Sequence, residues 1–398
     1  MRRVGGVRYT YVKVTSGVLR ARDEVRTISG VCKVAAILAP QGGRLLPMGE
    51  AHAGQTAALA GLSARPGERI GDGFGLEAPE TVPLMSVQVE PMAPLTQSAL
   101  LAHLREMEEE DPLLSVRPEA DGVSVGVMGA VQVEVLQGIL AARFGDVVRM
   151  CPPHVLYKET IAAPVVGIGH YEPLRHYAEV WLKLEPGAPG SGISFAADCP
   201  PNSLDENWQR LIRTHVFERA HPGVLTGSPL CDVRIRLIAG RAHLKHTEGG
   251  DFREATCRAI RNALMQAENV LLEPVVRFEL AMPNEALARV TGELLRIGAQ
   301  LDASETDGGE TTLTGRCTAA MFWDYPTRFA ASTHGHGRIA SRFERYEPCK
   351  NQDDIVRQSG YDPLADTLNP PGSVFCSHGA GFYVAWDHVR EWAHCEVE

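Results

Sequence analysis

No apolar run in the 398 residues reaches the roughly 18 that a membrane-crossing helix needs. The first residues, Met1-Arg2-Arg3-Val4-Gly5-Gly6, lack the apolar centre of a secretory signal. Paired cysteine spacing is missing too. Nine cysteines, an odd number, are scattered with no Cys-x-x-Cys, which excludes a disulfide framework and points to reduced thiols in a cytoplasmic chain with no membrane partner. Also absent are Gly-x-x-x-x-Gly-Lys-Ser/Thr, whose backbone and lysine cradle nucleotide phosphates, and the guanine-reading string Asn-Lys-x-Asp. The chain therefore offers no catalytic residues, no cofactor-binding residues and no enzyme activity of its own.

What is present is a long, ordinary globular composition, 44% hydrophobic and 22% charged, enough for two to four domains. The net charge of −10 is unevenly spread. Between residues 208 and 261 stand ten Lys/Arg against five acids, with histidines at 215, 221, 243 and 246 adding latent positive charge.

The pattern along the chain predicts a multidomain α+β protein. Short strands broken by Gly and Pro over residues 1–82 suggest a β-barrel. After Pro79-Glu80-Thr81-Val82-Pro83 the order over 83–157 becomes β-α-β-β-α-β, that of a ferredoxin-like domain, with Thr96 capping a helix whose apolar face holds Leu100, Leu101, Leu104 and Met107. Residues 158–272 read as a longer α/β unit with strands at 179–184 and 233–238 and helices at 204–218 and 252–267. The β-α-β-β-α-β order returns over 273–346, with a hairpin across Asp307-Gly308-Gly309 and a helix over 321–332. Residues 347–398 form a tail rich in Pro, Gly and Asp.

Barrel, ferredoxin-like unit, charged α/β unit and second ferredoxin-like unit, in that order, resemble domains II to V of the translational GTPases of the elongation factor G and tetracycline ribosomal-protection type. The strings that carry the likeness are Tyr11-Val12-Lys13-Val14-Thr15-Ser16-Gly17-Val18-Leu19, then Pro112-Leu113-Leu114 with Val127-Met128-Gly129-Ala130-Val131-Gln132-Val133-Glu134-Val135. They continue with GVLTGSPLCDV over 223–233, Leu271-Leu272-Glu273-Pro274, and residues 325–338 with Thr333, Gly335 and Gly337. Gln132, where elongation factor G has His, and the Asp251-Phe252 pair entering a helix resemble the protection branch. So does the tail string Ser377-His378-Gly379-Ala380-Gly381-Phe382 with Trp386-Asp387.

The resemblance implies a ribosomal-protein-S5-like α/β fold for 158–272, binding to the ribosome through 16S and 23S rRNA, and GTP only if a G domain is supplied elsewhere, for example by a separate G-domain polypeptide. The family's second domain has one strand more than residues 1–82 supply, so an open barrel edge is expected. The alternatives, after that leading reading, are the non-catalytic half of a split GTPase, a fragment of a tetracycline-resistance protein, or an inert truncation.

By the same likeness, the loop with Arg241, His243, Leu244, Lys245, His246 and Thr247 reaches the decoding centre, where cations and imidazoles suit structured rRNA; otherwise it is an ordinary solvated loop. Protection proteins carry Ser-Pro-Val where Leu244-Lys245-His246 stands, which leaves drug displacement without its proline. Asn202 and Ser203 could form a second rRNA-facing loop, or Ser203 with Glu206 a capping box. Arg210 and Arg213 share a helix face that meets rRNA or only solvent. Cys349, Cys376, His378, His394 and Cys395 have zinc-ligand chemistry but not zinc-site spacing, and read as free thiols and surface histidines, so no metal is expected.

Overall fold

The computed structural model describes residues 2–4, 6–73, 75–76, 82–119 and 122–396, in two compact units, residues 1–154 and 155–398. The break expected at Pro79-Glu80-Thr81 lies outside the described residues.

In the first unit, a five-stranded sheet runs in the order Arg2–Val4, Val7–Lys13, Thr56–Ala60, Ala36–Gln41, Arg44–Pro47. Arg2–Val4 pairs antiparallel with the start of Val7–Lys13 at one side of this sheet. Val34, Ile37, Leu59 and Leu62 form its core. Met85–Pro91, the helix Gln97–Glu110, Arg117–Pro118, Val123–Val127, the helix Ala130–Phe144 and Val148–Val155 follow. Their strands lie in the spatial order second, third, first, fourth, which is the ferredoxin-like arrangement. Thr96 caps the first helix by accepting from Ala99 N, and Leu100, Leu104 and Met107 are buried beneath it.

In the second unit, strands β1 (Lys158–Ile161), β2 (Val165–Tyr171), β3 (Ala178–Pro186) and β4 (Ile193–Ala197) precede helix α1 (Glu206–Phe217), strand β5 (Val233–Ala242) and helix α2 (Gly249–Gln266). Strand β6 (Asn269–Pro283), helix α3 (Leu287–Arg296), strands β7 (Gln300–Asp307) and β8 (Glu310–Thr318), helix α4 (Tyr325–Ser332) and strand β9 (Arg338–Pro348) form the second β-α-β-β-α-β unit. Its sheet order is again second, third, first, fourth, with β1 also paired to β6. The single helix expected over 321–332 is two pieces, Ala319–Phe322 and α4. Pro326 cannot donate a backbone hydrogen bond to a helix continuing from 322, and sits instead in the first turn of a new one.

The tail does not stand apart. Helix α5 (Gln352–Ser359) is followed by strands β10 (Ser373–Ser377) and β11 (Ala380–Val384), and a last turn α6 (Val389–Trp392). Strands β10 and β11 extend the α/β sheet to six strands in the order β4-β5-β3-β2-β10-β11. Both faces of β3 are consequently buried. Ala178, Val180, Leu182 and Leu184 pack under α1 and α2 with Phe252, Ala259 and Ile260, while Trp181 on the opposite face packs with Ile168, Phe375, Val384 and Val389. The tail is also stitched to α2: Arg261 Nη2 donates to Tyr361 Oη (2.7 Å), Arg258 Nη1 to Gly372 O (2.8 Å) and Asn262 Nδ2 to Trp386 O (2.8 Å).

One buried base gives this unit a pH dependence. His221 is buried, its Nε2 2.9 Å from Val216 O. Burial pushes its pKa below the ordinary 6.5; the Val216 carbonyl works against this, Arg219 adds to it and Glu218 opposes it. A base whose folded pKa is depressed contributes stability that is complete above the unfolded value and is lost as pH falls through it. Wild type is therefore expected to lose more stability than His221→Gln between pH 7.5 and 5.5 in urea titrations; equal losses would remove His221 as the source.

Candidate nucleic-acid interface

Between the end of β5 at Ala242 and the start of α2 at Gly249 the chain makes a tight, internally bonded turn. His243 N–H donates to Thr247 Oγ1 (2.7 Å), and the Thr247 hydroxyl donates to Tyr177 O on the neighbouring segment (2.6 Å). The His243 carbonyl accepts from His246 N (3.2 Å) and Thr247 N (3.1 Å), and Lys245 N–H donates to His243 Nδ1 (3.3 Å). The rings of His243 and His246 stack at 4.5 Å and 16°. With the backbone polar groups used inside the turn, Leu244 and Lys245 are left fully outside, Leu244 at 105% exposure.

The far side of the turn is fixed by the Asp-Phe pair. Buried Asp251 accepts from Glu248 N (2.8 Å), closing the first turn of α2, and its other oxygen is 2.8 Å from His176 Nδ1. Phe252, wholly buried, meets Trp208 at 5.1 Å between ring centres.

The second expected loop comes to the same end of the sheet. Leu204 is buried over Gly240, where a Cβ would stand 2.8 Å from Leu204 Cδ2, and Gly240 immediately precedes Arg241. Gln209 Nε2 donates to Cys199 O (3.0 Å) and Leu204 O (2.8 Å) and so holds this loop to α1. Asn202 and Ser203 are exposed. Ser203 is not the helix cap: its N–H donates to Pro200 O (2.9 Å), and Asp205 caps α1 by accepting from Asn207 N (2.8 Å). Burial of Leu204 spends the intervening residue on packing, so the helix begins two positions later than the Ser203-Glu206 spacing suggests.

Arg210 and Arg213 are exposed but already engaged locally. Arg210 Nη2 donates to Asn207 Oδ1 (2.8 Å), and the Arg213 guanidinium lies 5.6 Å from the Phe217 ring centre. Arg210 stays close to the loop end of α1, whereas Arg213 is carried a turn further away along it.

Three residues at this end had no place in the sequence reading of the loop: Tyr177, Glu179 and His394. Arg241 Nη1 donates to His394 O (3.5 Å), and a hollow beneath the tip is lined by Tyr177, Arg241, Ala242, His243, Leu244, Lys245 and His394. Behind it, buried Glu179 takes hydrogen bonds from His170 Nδ1 (2.7 Å), Trp181 Nε1 (2.8 Å), His394 N (2.8 Å) and Cys395 N (2.7 Å). Burial alone would raise its pKa; the bonds from His170, His394 and Trp181 outweigh that and hold it at about 2. Burial likewise pushes the Tyr177 phenol up. A hint was legible in the strand itself, since Tyr177, Glu179 and Trp181 occupy the face opposite Ala178, Val180 and Leu182, too apolar for a solvated side.

The five residues with zinc chemistry do not gather. Cys349 Sγ pairs with Asn351 Oδ1 (3.3 Å), Cys376 lies on β10, and His378 occupies the left-handed turn after it. Only His394 of the five joins a group of metal-ligating spacing among the described residues, with His170 and Glu172.

Residues 153–268 match the family Elongation factor G, domain IV, and residues 270–355 match Elongation factor G C-terminus. The crystal structure of a protein from Thermus thermophilus is similar over 88% of the chain at 24% identity, with a TM-score of 0.59, and the chain spans 55% of that protein. That likeness is one of fold. The tip and the strands β2–β5 beneath it fall inside the first match, residues 270–348 of the ferredoxin-like unit fall inside the second, and the tail strands β10 and β11 lie beyond both. Through its fourth and C-terminal domains, the chain belongs to the elongation factor G family.

Proposed function

We propose that the chain binds the ribosome as the body of an elongation factor G-like translation factor. Its fourth-domain tip would face 16S rRNA at the decoding centre, and its C-terminal ferredoxin-like unit 23S rRNA of the large subunit. The observation that carries this reading is the outward placement of Lys245 beside the stacked His243–His246 pair, on a turn braced by the His243–Thr247 and Thr247–Tyr177 hydrogen bonds. An exposed cation beside a stacked imidazole pair suits a phosphate next to an unstacked base.

GTP chemistry is not assigned to these residues. Hydrolysis would come from a P-loop domain outside these 398 residues, whether on the same polypeptide or on a separate one. Tetracycline displacement is likewise not assigned to a tip reading Leu244-Lys245-His246.

Co-sedimentation with 70S ribosomes tests the reading. Binding is expected to weaken steeply as salt rises, because phosphate contacts release counterions. Lys245→Ala with His246→Ala is expected to weaken it at least about tenfold and to make the log–log salt slope shallower by about one. Pelleting that is equal with and without ribosomes would end the proposal, and an unaffected double variant would remove the tip from it.

A further inference from the structure

Beneath the tip, His170, Glu172 and His394 place three potential ligand atoms within 4.8 Å of one another. The first two come from β2 and the residue beyond it; the third comes from the end of the tail, more than 200 positions away. His170 is wholly buried and rigidly held, its ring stacked on Phe375 at 4.1 Å and 5°. Its Nδ1 lies 2.7 Å from Glu179 Oε2, on a carboxylate that also takes hydrogen bonds from Trp181 Nε1, His394 N and Cys395 N. That leaves Nε2 aimed at a second carboxylate, Glu172 Oε2, at 3.1 Å. Nε2 and Glu172 Oε2 thus face each other across 3.1 Å, a spacing that a shared hydrogen or an ion bound by both can occupy. The His394 ring approaches His170 edge-on at 4.8 Å, with Nδ1 3.0 Å from the Tyr177 hydroxyl.

We propose that His170 Nε2, a Glu172 oxygen and a ring nitrogen of His394 form a binding site for a divalent transition-metal ion of the zinc class. Two imidazoles and a carboxylate suit zinc, and water would complete the coordination on the solvent side. The ligand orientation typical of such sites is already built: Glu179 fixes the plane of His170, and Tyr177 holds the His394 ring. Neighbouring ligands on a tetrahedral ion with bonds of about 2.0–2.1 Å stand roughly 3.3 Å apart. The 4.8 Å span must therefore contract on binding, and the side chains of Glu172 and His394, outside the core, rather than buried His170, would supply the movement. The ion would clamp the tail to β2 directly under Arg241, whose guanidinium already touches the His394 carbonyl.

Metal-stripped full-length chain titrated with Zn(II) is expected to take up one equivalent by calorimetry and to melt at a higher temperature when loaded. Co(II) in its place should give visible d–d bands without the near-ultraviolet thiolate charge transfer that any of the nine cysteines would add. His394→Ala and Glu172→Gln, both at solvent-accessible positions, are each expected to lower Zn(II) affinity at least tenfold and to abolish the thermal shift, whereas Cys395→Ser leaves both within about threefold. No stoichiometric uptake, a thiolate band, or affinities in His394→Ala and Glu172→Gln equal to wild type would each overturn the site.

Discussion

Gly169→Ala is expected to destabilise the fourth domain by at least about 4 kcal/mol, enough to prevent its folding at ordinary temperatures. Strand alternation places Gly167 and Gly169 on the same face of β2, while Ala255, Ala259 and Ala263 recur every fourth residue along α2. Small meets small, and the helix backbone lies directly on the strand. A Cβ at Gly169 would stand 1.9 Å from Ala255 O and 2.5 Å from Ala259 N; at Gly167 it would stand 2.0 Å from Ala259 O. Carbon contacts normally settle near 3.5–4.0 Å, so about 1.5–2 Å of separation must be found. The strand cannot yield it, because β3 and β10 pair with it on either side. The helix cannot lift without opening the packing around Phe252, Ile260 and Leu264. Denaturant titration followed by far-ultraviolet circular dichroism measures the loss. Gly138→Ala serves as the comparison: in the exposed helix Ala130–Phe144 its Cβ would meet nothing within 4 Å, and the change should be neutral or stabilising by up to about 1 kcal/mol. A loss below about 1 kcal/mol for Gly169→Ala would show that the helix is not seated on those glycines.

The second large effect is expected at Glu159, where alanine should cost about 3 kcal/mol or more. This side chain is wholly buried on β1 and no cation partners it in the hydrogen-bond network. Its carboxylate is instead held by the segment GVLTGSP: Leu225 N at 2.8 Å, Thr226 N at 2.9 Å, Thr226 Oγ1 at 3.0 Å and Ser228 N at 3.1 Å. Successive backbone N–H groups folded around a carboxylate form a nest, and removing it leaves three partly buried backbone donors without an acceptor. The fit explains Gly223, since a Cβ there would fall 2.0 Å from Glu159 Oε2. Hydrogen exchange reads the effect locally. In Glu159→Ala the amides of Leu225, Thr226 and Ser228 should lose protection by roughly two orders of magnitude relative to the β7–β8 amides, consistent with the same energy. Uniform protection across both regions would mean that the segment is held by something else.

Periodicity exposed much of this architecture and missed what depends on distant partners. Both β-α-β-β-α-β units were readable because each strand and helix buries a face set by its own spacing, as Leu100, Leu104 and Met107 do under Thr96. The family strings led to the fourth and C-terminal domains for the same reason: Gly223 and the Asp251-Phe252 pair answer constraints inside one domain. Three features were unreadable locally. The cap moved from Ser203 to Asp205 because Leu204 is claimed by Gly240, 36 positions later. The Gly167/Gly169 seat acquires meaning only when set against the alanines of α2. The tail strands pair with β2 across some 200 residues, as in the bond from His170 N to Ser373 Oγ (3.0 Å), and nothing in their composition names that partner. At the tip, the exposed cation and imidazoles were evident from the sequence, while the hollow beneath them, built by Tyr177 and His394, was not.

The return of the chain to β2 also fixes an order of completion during synthesis. Emerging from its N-terminus, the polypeptide supplies β2, β3, α1, β5 and α2 early, then spends residues 269–348 on the C-terminal ferredoxin-like unit before the strands that cover Ile168 and Trp181 exist. A domain earlier in sequence is thus finished after one that follows it, contrary to the usual N-to-C succession. Until residues 373–392 have been made, one apolar side of its sheet stays open to water, and a nascent chain arrested before Ser373 would carry that face uncovered.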